Sequence, residues 1–66
     1  MITVNGCRID LSEGNRNLSD CLDAQGYRTD RVVVVLNEVV VRRNAYSSVI
    51  LKDGDVMEVL HFVGGG

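Results

Sequence analysis

Proline is absent from the 66 residues, and histidine occurs once, at position 61. With no proline to break a backbone ladder, and with valine abundant, the chain is biased toward strands. Basic clusters are scarce as well. The largest is the pair Arg42-Arg43, too short to neutralise many phosphates. Seven basic residues against nine acidic ones leave no basic patch of the kind a nucleic-acid module carries. Long apolar runs are missing too: none approaches the ~20 residues that a membrane helix requires. The opening Met1-Ile2-Thr3-Val4-Asn5-Gly6 has neither the charged lead nor the apolar stretch of a signal peptide. A cytoplasmic protein with no nucleic-acid and no membrane partner is the expectation. Disorder is excluded by a 45% hydrophobic fraction and a net charge of only −2.

Cysteine is sparse. Cys7 and Cys21 are too few and too far apart for a four-ligand zinc site, and a reducing compartment disfavours a disulfide between them. Both are expected to be buried thiols that pack as small hydrophobes. Asp53 and Asp55 flank Gly54 with no further ligand types nearby, which reads as a turn rather than a metal site. No metal and no bound cofactor are expected. Length adds a further exclusion. A chain this short buries only about 60% of its unfolded surface, so it has little material for a deep, multi-part active site. Chemistry is expected at an edge or an end, with a larger partner supplying the walls.

What is present reads as strands with one helix. Ile2 and Val4 alternate with Thr3 and Asn5, and then Asn5-Gly6 supplies two residues that tolerate the positive φ of a type I′ turn. Cys7, Ile9 and Leu11 alternate with Arg8 and Asp10, so the first eleven residues form a hairpin with one apolar face. Ser12-Glu13-Gly14-Asn15 is loop chemistry. Asn17 can cap a helix whose third residue, Asp20, suits the exposed amides. Leu18, Cys21 and Leu22 give that helix a narrow apolar stripe, and Gly26 ends it.

The apolar run 32–36 fits a strand covered on both faces or central in a sheet. Asn37-Glu38 turns the chain into Val39-Val40-Val41, and residues 42–48 form a polar turn or short 3₁₀ segment around Tyr46. Arg42, Arg43 and Tyr46 read as a solvated turn rather than a contact rim. Val49-Ile50-Leu51 is apolar again, Asp53-Gly54-Asp55 is a turn, and residues 56–63 form the last strand. The fold class is α+β, one helix packed on one mixed sheet. A domain over residues 1–63 is followed by a tail over residues 64–66.

Alternation along the last strand places Leu60 and Phe62 on one face and Met57, Val59, His61 and Val63 on the other. Both faces are largely apolar, more than a single core needs. Leu60 and Phe62 are expected outward as a docking pair, with Met57 and Val59 inward. His61 is expected to be a packed or surface residue rather than a general base.

Gly64-Gly65-Gly66 closes the sequence directly after this strand. Three residues without Cβ can thread a slot too narrow for side chains. Extended, they reach roughly 10 Å at ~3.3–3.6 Å per residue. A terminal carboxylate on such a tether can enter a partner's active site while the body stays outside; a frayed terminus is the plain alternative. A carboxylate is a poor electrophile and needs activation, for instance as an acyl-adenylate. The activated carbonyl then accepts sulfur to give a thiocarboxylate, or an amine to give an isopeptide, and the residues alone do not choose between the two.

The whole chain resembles the ubiquitin-like β-grasp sulfur carriers, most closely those of thiamine biosynthesis. The features that carry the resemblance are Val4-Asn5-Gly6, Leu18-Ser19-Asp20-Cys21-Leu22, Asn37, Val41-Arg42-Arg43 with Tyr46, the turn and strand Asp53-Gly54-Asp55-Val56-Met57-Glu58-Val59, and the closing Leu60-His61-Phe62-Val63-Gly64-Gly65-Gly66. Arg42 departs from the pattern, since the family usually has proline there. The resemblance implies a β-grasp fold and a protein cosubstrate without catalytic groups of its own. It implies that an adenylyltransferase related to ubiquitin-activating enzymes uses ATP to adenylate Gly66. Sulfur from a cysteine desulfurase relay then converts Gly66 to a thiocarboxylate, and thiazole synthase takes that sulfur for the thiamine thiazole ring. Gly64 and Gly65 would position Gly66 in these active sites. A carrier for molybdopterin or another product, and a ubiquitin-like protein modifier, share the activation step and stay open as alternatives.

Overall fold

Two hairpins, each turning on an asparagine, frame the molecule. The computed structural model describes residues 1–11 and 16–62. The expected loop at 12–15, Val63 as the last strand residue, the domain limit after 63 and the tail Gly64, Gly65 and Gly66 lie outside the described residues.

Strand β1 (Ile2–Val4) and strand β2 (Cys7–Ile9) pair antiparallel. Asn5 and Gly6 between them take φ of +49° and +83°, as the type I′ reading required. Strand β3 (Val32–Leu36) and strand β4 (Val39–Val41) form the second hairpin. There Asn37 and Glu38 both adopt positive φ, +50° and +68°. Strand β5 (Val56–His61) runs parallel to β1 and antiparallel to β3, so the five-stranded sheet has the order β2-β1-β5-β3-β4. The last strand in sequence is the central strand in space. The run 32–36 therefore lies beside the centre, and β5 occupies it.

Helix α1 (Leu18–Ala24) crosses one face of this sheet. The Asn17 side chain accepts from the backbone N–H groups of Ser19 and Asp20, at 2.9 and 3.4 Å, and so satisfies donors that the first turn leaves open. The C-terminus is a Schellman motif: Gly26 at φ +83° donates to the Asp23 carbonyl, and Tyr27 donates to the Leu22 carbonyl. Seven residues are too few for a helix to persist alone in water, so α1 depends on its buried stripe. Leu18, Cys21 and Leu22 are all buried there against Ile2, Val4, Val34, Leu51, Met57 and Val59. Full burial of each leucine is worth about 1.5–3 kcal/mol.

The structure departs from the sequence reading at three places. Cys7 is exposed, not buried: it lies opposite Val4 on the helix side of the sheet, but on the edge strand β2. Tyr46 is buried, 3% exposed, with its hydroxyl donating to the Val32 carbonyl at 3.3 Å. Arg42 and Arg43 remain exposed around the 3₁₀ turn Arg43–Ala45, so only the tyrosine leaves the solvated-turn description. Strand β3 is covered on one face, burying Val32 and Val34 while Val33 is exposed. Residues 49–51 form no strand. They contribute one isolated bridge, between Ile50 and Asn17, and the buried side chain of Leu51.

Candidate functional site at the end of the central strand

The residues singled out from the sequence converge on β5. Its alternation is as expected: Met57 and Val59 are 1% and 4% exposed, while Leu60 and Phe62 are 53% and 42% exposed on the opposite side. Leu60 lies opposite Val33 in the ladder with β3. Val56 and Val40 add to the same uncovered face, and both are exposed. Phe62 sits beyond the strand, at the rim of a groove of about 500 Å³. Val33, Val40 and Phe62 contribute to its apolar wall, and Asp30, Arg31 and Arg43 supply charge of both signs. Leu60 and Phe62 therefore belong to a wider apolar surface than the pair expected from the sequence.

The strand that presents them is held from several directions. Backbone pairing to β3 runs as far as His61 opposite Val32, and the Phe62 N–H donates to the Arg31 carbonyl at 3.3 Å. On the other side β1 stops at Val4, but Asn5 continues its work. The Asn5 N–H donates to the Met57 carbonyl at 2.9 Å. Its side-chain oxygen accepts from the Val59 N–H at 2.8 Å, and its amide nitrogen donates to the Val59 carbonyl at 3.1 Å. At the start of β5, Asn37 meets both backbone groups of Val56 with one backbone and one side-chain bond: the Asn37 N–H donates to the Val56 carbonyl at 2.7 Å, and the Val56 N–H donates to the Asn37 side-chain oxygen at 2.9 Å. The Asn37 amide also donates to the Asp55 carboxylate at 2.9 Å.

Neither asparagine clamp was read from the sequence. The visible signal was Asn at the first position of two left-handed turns, which announces turn geometry but not a partner dozens of residues away.

The remaining candidates separate into surface and core. His61 is exposed, and its ring lies against Tyr27 with centroids 5.4 Å apart. Asp55 is buried in its turn and accepts from the Lys52 N–H at 2.8 Å, whereas Asp53 is exposed and contacts the N-terminal ammonium, which holds its carboxyl below the usual range. The two carboxylates thus serve different partners. Among the described residues no three His, Cys, Asp or Glu side chains gather as metal ligands. Cys21 is buried, and burial pushes its thiol pKa up, the opposite of what a reactive thiolate needs. No helix among the described residues is long and apolar enough to cross a membrane.

One helix laid on a mixed five-stranded sheet, with the final strand between β1 and β3, is the ubiquitin-like β-grasp architecture. The crystal structure of the thiamine biosynthesis protein ThiS from Geobacter metallireducens superposes with a TM-score of 0.81 and 36% sequence identity, over 98% of this chain and 97% of that one. Residues 2–66 match the model of the ThiS family, and the chain belongs to that family. It is also similar to the sulfur carrier protein ThiS of Bacillus subtilis, 32% identical over 66 residues and covering 100% of both chains. A thiazole synthase of Magnetococcus marinus is 38% identical over 55 residues, 83% of this chain. The matched stretch is only 17% of that longer protein. By family the chain is a small sulfur carrier of thiamine biosynthesis and not a catalyst.

Proposed function

We propose that the chain carries sulfur as a thiocarboxylate on Gly66 and delivers it to a thiazole synthase for the thiamine thiazole ring. An adenylyltransferase of the ubiquitin-activating type joins the Gly66 carboxylate to AMP from ATP and releases pyrophosphate. Sulfur supplied by a cysteine desulfurase system then displaces AMP. ATP is bound by the activating enzyme, and the carrier holds no cofactor of its own. Gly64 and Gly65 thread the partner's channel, because residues without Cβ leave the carbonyl of Gly66 open to attack. Leu60 and Phe62 dock against the partner at the channel mouth.

The observation that carries this reading is the match to the Bacillus subtilis sulfur carrier over the full length of both chains, with the glycines following a strand that is pinned at the centre of the sheet. The Magnetococcus marinus thiazole synthase supports the choice of acceptor, since a segment similar to this chain occupies part of that protein. An uncovered apolar face beside the exit strand supports docking there.

Intact-mass measurement tests the proposal. The carrier is incubated with the adenylyltransferase, ATP, a cysteine desulfurase and cysteine under reducing conditions. Replacement of one terminal oxygen by sulfur is the expected product, and deletion of Gly66 abolishes it. Covalent ladders with other proteins would identify a modifier instead. An unchanged mass in a reaction that releases no pyrophosphate would overturn the reading.

A further inference from the structure

Strand β5 outruns its parallel neighbour. Strand β1 ends at Val4, and the chain turns away through Asn5 and Gly6, whereas β5 continues to His61. On the β1 side the last backbone bond is from the Asn5 N–H to the Met57 carbonyl, so the next rung, at Val59, has no strand to meet. The Asn5 side chain fills it. A primary amide offers the same donor and acceptor as a peptide group, and at 2.8 and 3.1 Å it engages both the N–H and the carbonyl of Val59. The Asn5 amide nitrogen also donates to the Tyr27 hydroxyl at 3.2 Å, and the Tyr27 ring lies against His61, which ends the strand. Past Met57, β5 is thus gripped by the β3 backbone on one side and by one side chain on the other.

We infer that Asn5 is a positioning residue that sets the direction in which β5 hands the chain on from Val59 through Phe62 to the tail. The inference rests on the function proposed above, in which Gly66 must arrive in line with the α-phosphate of ATP inside a partner. Removing one of two lateral restraints lets the chain beyond Leu60 turn about the β3 edge, while Leu60 stays paired opposite Val33 and the core beneath stays packed. Such a change lowers how often the carboxylate meets its target more than it weakens docking through Leu60 and the valines of the outer face. Asn37 provides the internal comparison. It also contacts β5 at two points, but at Val56, the other end of the strand, and through one side-chain oxygen and one backbone N–H.

Glycine at either position keeps the left-handed turn, because both asparagines have φ near +50°. At position 5 it deletes both contacts to Val59, and at position 37 it deletes the acceptor for the Val56 N–H while the backbone bond to the Val56 carbonyl stays. With the adenylyltransferase limiting, the carrier concentration varied and a temperature at which both variants are folded, ATP–pyrophosphate exchange separates the two roles. Asn5→Gly is expected to lower kcat roughly tenfold with KM for the carrier within about twofold, while Asn37→Gly leaves both within about twofold. Residual dipolar couplings of the His61 and Phe62 amides should change in Asn5→Gly alone. Equal kcat losses in the two variants, or unchanged couplings in Asn5→Gly, would overturn the inference. If the unaltered carrier supports no exchange, the proposed function has failed, and the couplings decide the role of Asn5 independently. Should Asn5→Gly not fold, Asn5→Asp replaces it, since aspartate keeps the acceptor for the Val59 N–H and loses the donor to its carbonyl.

Discussion

The two faces of the sheet are built from the same residue type and meet opposite fates. On the helix side Ile2, Val4, Val32, Val34, Met57 and Val59 are buried; on the other side Val33, Val40, Val56 and Leu60 are exposed. Strands β3 and β4 carry valine at nearly every position, so their apolarity alone cannot tell one face from the other. The difference is made by what lies over one face: helix α1 together with Tyr46 and Leu51. Cys7 and Val39 project toward the helix side yet are exposed, whereas Ile9 and Val41 on the same two edge strands pack against the core. Coverage here is set by position in the sheet more than by hydrophobicity.

The contrast breaks most severely at Leu22. Leu22→Ala removes a fully buried side chain from the helix stripe and should cost about 2–5 kcal/mol, read as a lower midpoint in urea with an unchanged m-value. A chain this small has little more stability than that to lose, at ~0.05–0.15 kcal/mol per residue. A loss under about 0.5 kcal/mol would mean that α1 is not what closes this face.

A second break comes with alkali. Burial raises the thiol pKa of Cys21 in the folded chain, and burial likewise raises the Tyr46 phenol. Below the ordinary cysteine value of 9.0 the thiol is neutral in both states and the folded state keeps its full stability. As pH climbs past that value the unfolded chain releases its proton first, so stability falls. Urea midpoints should therefore decline above about pH 9 in the parent and less steeply in Cys21→Ala, when each is compared with its own midpoint at pH 7. Identical slopes would place the alkaline loss elsewhere. Cys7, exposed on β2, should react with a thiol reagent in the folded protein while Cys21 reacts only on unfolding.

The smallest expected effect sharpens the comparison from the other side. Leu60→Thr exchanges an exposed leucine for a residue that suits a strand, and stability should stay within about ±0.5 kcal/mol. Binding to the adenylyltransferase should weaken, measured by calorimetry with the two proteins alone. Unaltered affinity would remove Leu60 from the docking surface.

How much of this was legible beforehand follows the range of each interaction. The type I′ turn at Asn5-Gly6, the Asn17 cap, the Leu18–Cys21–Leu22 stripe and the stop at Gly26 are decided within four residues of chain, and each was readable. The outward Leu60 and inward Met57 followed from strand alternation. The exposure of Cys7 was not readable, since it depends on β2 standing at the edge of the assembled sheet. Tyr46 lies in a polar stretch whose local composition signals solvent, yet its hydroxyl finds the Val32 carbonyl across the fold. The clamps from Asn5 to Val59 and from Asn37 to Val56 join residues 54 and 19 positions apart, and no local pattern encodes such a partner. Of the candidate site, the outward placement of Leu60 and Phe62 was legible from alternation, while the grip on the strand beneath them required the assembled sheet.

The central place of β5 has a consequence for how the protein is made. Both hairpins are complete once Val41 has been synthesised, but neither shares a rung with the other until residues 56–61 slide between them. A chain cut short before that stretch is therefore two unjoined ribbons, with an open gap at the centre of the sheet for proteases to find. Folding becomes a check on translation: a carrier that passes as native has already acquired the strand that leads to its glycines.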